Sequence, residues 1–173
     1  MSGTTSRMRG RVAVAAVEDA EEVARVRMAA GRALTERYGV GPWSGTVTAR
    51  GVLGPRWMGA VIYVLRRRGA IAASFTLQQR KPWSIRRELF TPKRKPVYLV
   101  SMAVDPKLQG NGLGRVCLRE AARLGREMGC DALCLDAFDA EAGAGEFYLK
   151  CGLREVGRGA YREVPLRYFE MLL

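Results

Sequence analysis

The chain has 173 residues, of which 29 are lysine or arginine and 17 are aspartate or glutamate, and it contains no histidine. Its length fits one domain of the usual ~100–200 residues, which can bury a core without disulfide or metal support. The composition is that of a globular protein, and the lack of histidine excludes a common zinc ligand and the side chain that most often serves as a catalytic base.

The chain is expected to be cytoplasmic, with reduced thiols. Its four cysteines form no C-x-x-C pair, and no metal site is expected. The first residues lack the apolar stretch of a signal peptide. No run of 18 apolar residues is present, so we expect no membrane association.

The excess of basic residues gives a net charge of +12, with clusters at residues 66–68, 86–87 and 93–95. One interpretation is a solvated surface that keeps the protein soluble. The other is a polyanionic partner, because a positive field concentrates anions near the protein. A phosphate-rich cofactor, RNA or an acidic substrate would each fit that description.

The first half of the chain begins with residues 1–10, which are small, polar and basic and are typical of a flexible arm. A strand, a helix and a hairpin of two strands are then expected at residues 11–17, 18–38, 60–65 and 70–77. Gly39 is placed to end the helix. Glycines and prolines at residues 41–55 indicate a loop.

The second half opens with a long connection at residues 78–96, which contains three prolines and many charges. Further strands and helices are expected at residues 97–104, 112–128, 132–138, 141–151, 153–157 and 160–172, with a tight turn between the last two strands. The order β-α-β-β-β-α-β-α-β-β predicts a single mixed α/β domain over residues 11–173.

A glycine-rich segment separates an apolar strand from the strongest predicted helix, and it consists of Gln109, Gly110, Asn111, Gly112, Leu113, Gly114 and Arg115. Glycines let the backbone curl so that successive N–H groups point into one concavity at the positive end of the helix, which favours an anion. The P-loop motif is absent, and the third glycine of a dinucleotide fingerprint is misplaced. A simple turn before a helix is the remaining alternative.

The segment matches the pattern Q/R-x-x-G-x-G/A at Gln109, Gly112 and Gly114. In this it resembles the pyrophosphate loop of the GNAT superfamily of N-acetyltransferases. Residues 101–106 resemble the end of that superfamily's fourth strand. Residues 147–153 resemble its F-Y-x-K-x-G-F block, with Leu153 in place of the usual aromatic residue. The resemblance covers residues 97–173 well and the earlier half only by element order.

The resemblance implies an α/β fold in which a mostly antiparallel sheet has splayed fourth and fifth strands. In that superfamily the pantetheine arm of acetyl-CoA lies in the gap like an added strand. The backbone of Met102, Ala103 and Val104 would pair with this arm, and the loop from Gln109 to Arg115 would hold the pyrophosphate. A backbone N–H near Met102 would polarise the thioester carbonyl.

The resemblance also implies direct attack of a neutral amine on the thioester, with both reactants held close together. Tyr148 occupies the position of the superfamily's general acid, although a purely structural role in the core is the alternative. The base is left open. Asp139 is the first candidate and Asp136 is expected to contact the acceptor, while Ser101 is a candidate to order a water molecule.

The acceptor is expected to be the primary amine of a small molecule. Trp43 and Trp83, in irregular segments, are candidate walls of its site or plugs of a lid. The positive charge favours an alternative acceptor, either an aminoacyl-tRNA, as in the superfamily's toxin branch, or a protein. A CoA-binding module without activity is a third hypothesis. A homodimer is expected only by analogy with the superfamily.

Overall fold

The computed structural model describes residues 10–92 and 95–173, so the predicted N-terminal arm falls outside the described residues except for Gly10. The strands are β1 (Arg11–Val14), β2 (Val61–Arg67), β3 (Ala70–Gln78), β4 (Pro96–Val104), β5 (Ala132–Phe138), β6 (Arg154–Tyr161) and β7 (Val164–Leu172). The α-helices are α1 (Ala20–Tyr38), α2 (Ala49–Leu53), α3 (Leu113–Glu127) and α4 (Gly145–Lys150).

The strands form one sheet in the order β1-β2-β3-β4-β5-β7-β6. Neighbouring strands run antiparallel except β4 and β5, which are parallel. A parallel pair requires a crossover connection, and α3 supplies it between β4 and β5. The predicted mixed α/β fold with a mostly antiparallel sheet is confirmed.

The two faces of the sheet are covered differently. On one face, α3 and α4 pack over a core whose members include Phe75, Leu99, Leu118, Leu133 and Phe169. On the opposite face, α1 and α2 cover β2 and β3, while Ile85 and Phe90 of the β3–β4 connection cover β5 and β7. Each large apolar side chain buried in this way contributes roughly 1.5–3 kcal/mol to stability. The boundary between the two covers falls over β4.

The two long helices end at the glycines that their sequences place there. Gly39 follows α1 with φ of 83°, and its N–H donates to the Thr35 carbonyl at 2.9 Å. Gly129 follows α3 with φ of 69°, and its N–H donates to the Arg126 carbonyl at 2.9 Å. Both backbones lie in the left-handed region, where glycine alone avoids a steric penalty.

The predicted loop at residues 41–55 is wrong in part, because α2 forms within it. The Thr48 hydroxyl accepts the N–H of Gly51 at 3.1 Å and so caps this helix. Val52 is buried against α1. A helix of five residues has little stability of its own, so this packing decides its formation, and a pattern read along the chain does not reveal it.

The predicted turn between the last two strands is also displaced. The chain turns at Arg162 and Glu163, which have φ of 48° and 66°, rather than at residues 158–159. Gly157 and Gly159, which lie beside and within the predicted turn, are both inside β6. A Cβ on Gly157 would lie 3.1 Å from the Leu89 side chain, and a Cβ on Gly159 would lie 3.2 Å from the Arg86 side chain. These glycines therefore make room for the β3–β4 connection.

Within the described ranges, no helix combines the length and apolar character needed to cross a membrane. The same residues contain no group of three or more histidine, cysteine, aspartate or glutamate side chains arranged to hold a metal ion.

Candidate active site

The parallel strands β4 and β5 are paired over only part of their length. Paired residues are Pro96 with Ala132, Val97 with Leu133, and Tyr98 with Cys134. Beyond them the described strands separate, while β5 stays paired with β7 along its whole length. The backbone groups on the far half of β4 that face β5 therefore have no strand partner. A gap of this kind admits an extended ligand that pairs with the strand edge.

A bulge lies in β4 where the gap opens. Ser74 of β3 is paired with Ala103, and Thr76 is paired with Val100, so Phe75 faces two residues of β4 instead of one. One of the two, Ser101, has φ of 52°. A bulge turns the local backbone and side chains away from their regular directions, and bulges are frequent beside active sites. Here it redirects the backbone around Ser101 and Met102.

The glycine-rich segment lies at the N-terminus of α3 beside this bulge. Gly110 and Gly112 have φ of 79° and 76°, and a Cβ added at either would meet no atom within 4 Å. Gly112 is the N-cap of α3. The Gln109 side-chain amide donates to the Val104 carbonyl at 3.3 Å, and the Asn111 amide donates to the Leu108 carbonyl at 3.0 Å. These bonds fix the loop while the first-turn N–H groups of α3 stay without intrahelical partners.

A cavity of about 530 Å³ joins these features. Its lining includes Met102, Ala103 and Val104 of β4, every residue of the glycine-rich segment except Asn111, Phe147 of α4, and Ala30 and Leu34 of α1. The cavity thus connects the free edge of β4 to the positive end of α3. The residues expected to hold the pantetheine arm and the pyrophosphate border one continuous space.

Tyr148 lies in α4 and is buried in the core on the α3 side of the sheet, where its ring packs against Phe147 and Phe169. Its hydroxyl makes no hydrogen bond with the described residues. Among those residues, every side-chain oxygen or nitrogen that is fully buried has a hydrogen-bond partner. The hydroxyl therefore reaches accessible space. Burial, and secondly the charge of Asp136, raise the pKa of Tyr148 well above its ordinary value, so the phenol keeps its proton.

Asp136 is the second residue of β5 beyond the last pair with β4. Strand alternation puts its side chain on the face opposite Tyr148, and the residue beside it on β7 is Tyr168, whose hydroxyl donates to the Ser84 carbonyl at 3.0 Å. Burial raises the pKa of the Asp136 carboxyl, and a hydrogen bond with the Ser84 side chain opposes this in part. A partly desolvated carboxyl at the gap is a typical functional group.

The other predicted site residues have different surroundings. Asp139 lies past the end of β5, and its carboxylate is 3.2 Å from the Arg158 guanidinium. The Trp43 indole donates to the Gly39 carbonyl at 3.1 Å, and its ring contacts Phe138, the last residue of β5, edge-to-face at 5.8 Å between centroids. Trp43 therefore lies near the mouth of the gap. Trp83, by contrast, is 81% exposed on the connection.

Sequence reasoning missed Arg27 of α1. Its guanidinium donates to the hydroxyls of Ser74 and Thr76, at 3.3 and 3.0 Å. Burial lowers the pKa of Arg27 to about 10. A signal was available, because Arg27 stands four residues after Val23 and three before Ala30, on the face of α1 that contacts the sheet.

Comparison with known proteins identifies a matching family and similar folds. The family model described as the acetyltransferase (GNAT) family matches residues 47–153. A GNAT-family acetyltransferase from Listeria monocytogenes superposes with a TM-score of 0.72 at 17% identity, covering 95% of each chain. Salmonella typhimurium yncA, solved with its cofactor acetyl-CoA, gives 0.68 at 17% identity, over 94% of this chain and 93% of its own.

A ribosomal-protein-alanine N-acetyltransferase from Brucella melitensis also gives a TM-score of 0.68 at 17% identity, covering 94% of this chain and 99% of its own. At these identities the solved structures show that the fold is shared, and they do not identify the acceptor of this chain. No curated protein matches the chain.

Proposed function

Since the chain belongs to the acetyltransferase (GNAT) family, whose cosubstrate is acetyl-CoA, we propose that it transfers the acetyl group to a primary amine of a small molecule by direct attack. The observation that carries the proposal is the single cavity joining the free edge of β4 to the N-terminus of α3. An elongated ligand with a phosphate-rich end fits that combination.

The residues around the cavity fit acetyl-CoA. The open space at Gly110 and Gly112 leaves room for phosphate oxygens close to the backbone N–H groups of the loop. Arg115 adds a positive charge in the first turn of α3, where it opposes the helix dipole unless an anion is bound nearby. The backbone of Met102 and Val104 would pair with the pantetheine arm. The ligand supplies an acetyl group already activated as a thioester.

Tyr148 would serve as the general acid. Its hydroxyl has no partner among the described residues and reaches accessible space, and its raised pKa keeps the proton on the phenol at neutral pH. In the overall reaction an N–C bond forms and a C–S bond breaks, and the leaving thiolate needs one proton. Tyr148 would provide it, while a backbone N–H beside the bulge at Ser101 and Met102 would stabilise charge on the carbonyl oxygen.

Asp136 is our proposed base, in preference to Asp139. The Asp139 carboxylate is held by Arg158 beyond the strand end, whereas Asp136 borders the gap. A raised pKa makes a carboxylate a stronger base towards an ammonium or amine proton. Asp136 would accept the proton directly or through a water molecule, for which the exposed Ser101 side chain is a candidate partner.

The test combines binding and turnover. Calorimetric titration with acetyl-CoA should give binding in the micromolar range, and release of free CoA should depend on an added primary amine from a broad panel. Binding without release from any amine would favour the CoA-binding module without activity. Absence of affinity for any CoA species would contradict the proposal as a whole.

A macromolecular acceptor is the second candidate, supported by the net charge of +12 and by the exposed Trp83 among Arg80, Lys81 and Arg86. Basic residues beside an exposed aromatic suit single-stranded nucleic acid. RNA association should weaken steeply between 50 and 200 mM salt, because each phosphate contact releases counterions. An association that does not change with salt, or no association at all, would remove RNA as the acceptor.

A further inference from the structure

Arg27 projects from α1 onto the sheet rather than into solvent. Its Nε and one terminal nitrogen donate to the hydroxyls of Ser74 and Thr76. Those two residues are almost completely buried, with 0% and 2% exposure. The guanidinium is therefore held in a fixed orientation against β3 by two neutral acceptors.

No carboxylate of the described residues forms an ion pair with Arg27. Other arginines near α1 are paired, such as Arg66 with Asp19 and Arg25 with Asp105. The lowered pKa of Arg27 has burial as its only cause, without an opposing charge. Burying a cation without an anion costs free energy. A guanidinium has five N–H donors, and two hydroxyls leave part of that capacity unused.

Arg27 lies near the part of the cavity that meets the bulge in β4. Its two partners lie across the β3–β4 ladder from Ala103 and Val100, the residues on either side of the bulge. One turn further along α1, Ala30 lines the cavity. Val100 and Asp136 are each two residues beyond the last paired residues, Tyr98 and Cys134, and they share a face of the sheet.

We propose that Arg27 is an anion-binding residue of the acceptor site and that the acceptor carries a carboxylate in addition to its reacting amine. This rests on the function proposed above and names its substrate class, the amino acids. A planar guanidinium fork binds a carboxylate through two parallel hydrogen bonds. Asp136 on the other side of the gap would receive the amine end. The same cation disfavours polyamines and other wholly basic acceptors.

The experiment compares matched acceptors that differ in one group. Glycine, β-alanine, γ-aminobutyrate and L-methionine are each assayed against the corresponding carboxamide, with CoA release as the readout. For at least one pair, the wild-type protein should prefer the carboxylate by about tenfold or more in kcat/KM. In Arg27→Gln this ratio should fall towards one, mainly through the KM of the acid, with the Kd for acetyl-CoA unchanged.

Controls separate recognition from a structural role. Arg32→Gln removes the same charge from the exposed surface of α1 and should keep the wild-type preference. Arg27→Lys keeps a charge but lacks the fork and should retain only part of the preference. If Arg27 merely attaches α1 to β3, Arg27→Gln will lower turnover of acids and amides equally. That result overturns the inference.

Equal use of acids and carboxamides by the wild-type protein also overturns it, even if Arg27→Gln fails to fold. If simple amines are acetylated without any carboxylate preference, the acetyltransferase proposal stands and this inference fails. If acetyl-CoA does not bind, the acetyltransferase proposal fails first. If acetyl-CoA binds and no panel member is acetylated, binding of the four acids to the CoA-loaded protein is measured by calorimetry. Absence of binding that depends on Arg27 then overturns the inference.

Discussion

Replacement of Gly112 by alanine is the sharpest test of the phosphate loop. Gly112 has φ of 76° and is the N-cap of α3, at the wall of the cavity. An L-residue in the left-handed region costs roughly 1–2 kcal/mol. The new methyl would meet no protein atom within 4 Å, so no clash adds to that cost. For a chain of this size, the melting temperature should fall by about 2–8 °C.

The effect on acetyl-CoA binding should be larger than this backbone cost suggests. A methyl group at position 112 would occupy open space where the loop is expected to approach the pyrophosphate. It would also favour a different φ and so turn the neighbouring N–H groups away. We expect the Kd for acetyl-CoA to rise at least tenfold, a loss of about 1.4 kcal/mol or more.

Gly69→Ala provides the matched control. Gly69 lies in the β2–β3 turn with φ of 85°, and a Cβ there also meets nothing within 4 Å. Both variants should lose similar stability in thermal unfolding, but only Gly112→Ala should lose affinity in calorimetric titration. Wild-type affinity in Gly112→Ala, at normal folding, would refute the loop assignment. An equal loss of affinity in Gly69→Ala would show that strain alone weakens binding.

Three further substitutions test the remaining assignments. Tyr148→Phe should lower kcat by about 10²–10⁴-fold without changing the Kd for acetyl-CoA, and normal turnover would reassign the acid. In the wild-type protein, activity should fall as the pH drops through the raised pKa of Asp136, and Asp136→Asn should lack this pH dependence. Because burial penalises the carboxylate, Asp136→Asn should also have a higher melting temperature than the wild type at pH 8, and a lower one would contradict this. Arg154→Ala should cost about 1–3 kcal/mol in denaturant unfolding at pH 7, because it removes a partner of the buried Glu170. Burial alone would raise the pKa of Glu170, but hydrogen bonds from Thr91 and Arg154 lower it, so this loss should shrink as the pH falls through the lowered pKa.

Much of the fold could be predicted because its determinants are local. Helical spacing of apolar residues and terminal glycines define α1 and α3, and apolar runs define the central strands. The glycine-rich segment was recognisable because glycine, which has no Cβ, can adopt the positive φ found at Gly110 and Gly112. These features depend on residues only a few positions apart.

The features that could not be predicted depend on distant contacts. A Cβ on Gly157 would lie 3.1 Å from the side chain of Leu89, 68 positions earlier in the chain, whereas the sequence pattern alone predicted a turn at residues 158–159. The difference between Asp136 and Asp139 depends on Arg158 and on the exact end of the β4–β5 pairing. The spacing along α1 indicates that Arg27 faces the sheet, but its partners Ser74 and Thr76 lie 47 and 49 positions away and cannot be identified from that spacing.

The proposed acid and the proposed base lie on opposite faces of the sheet, and their proton affinities are coupled. The negative charge of Asp136 contributes to the raised pKa of Tyr148, after burial. If Asp136 accepts a proton from the amine as proposed, that contribution would disappear, and the phenol would become a better donor as the thiolate leaves. A free phenol has a pKa of about 10 and a thiol about 8.5, so the transfer needs such assistance.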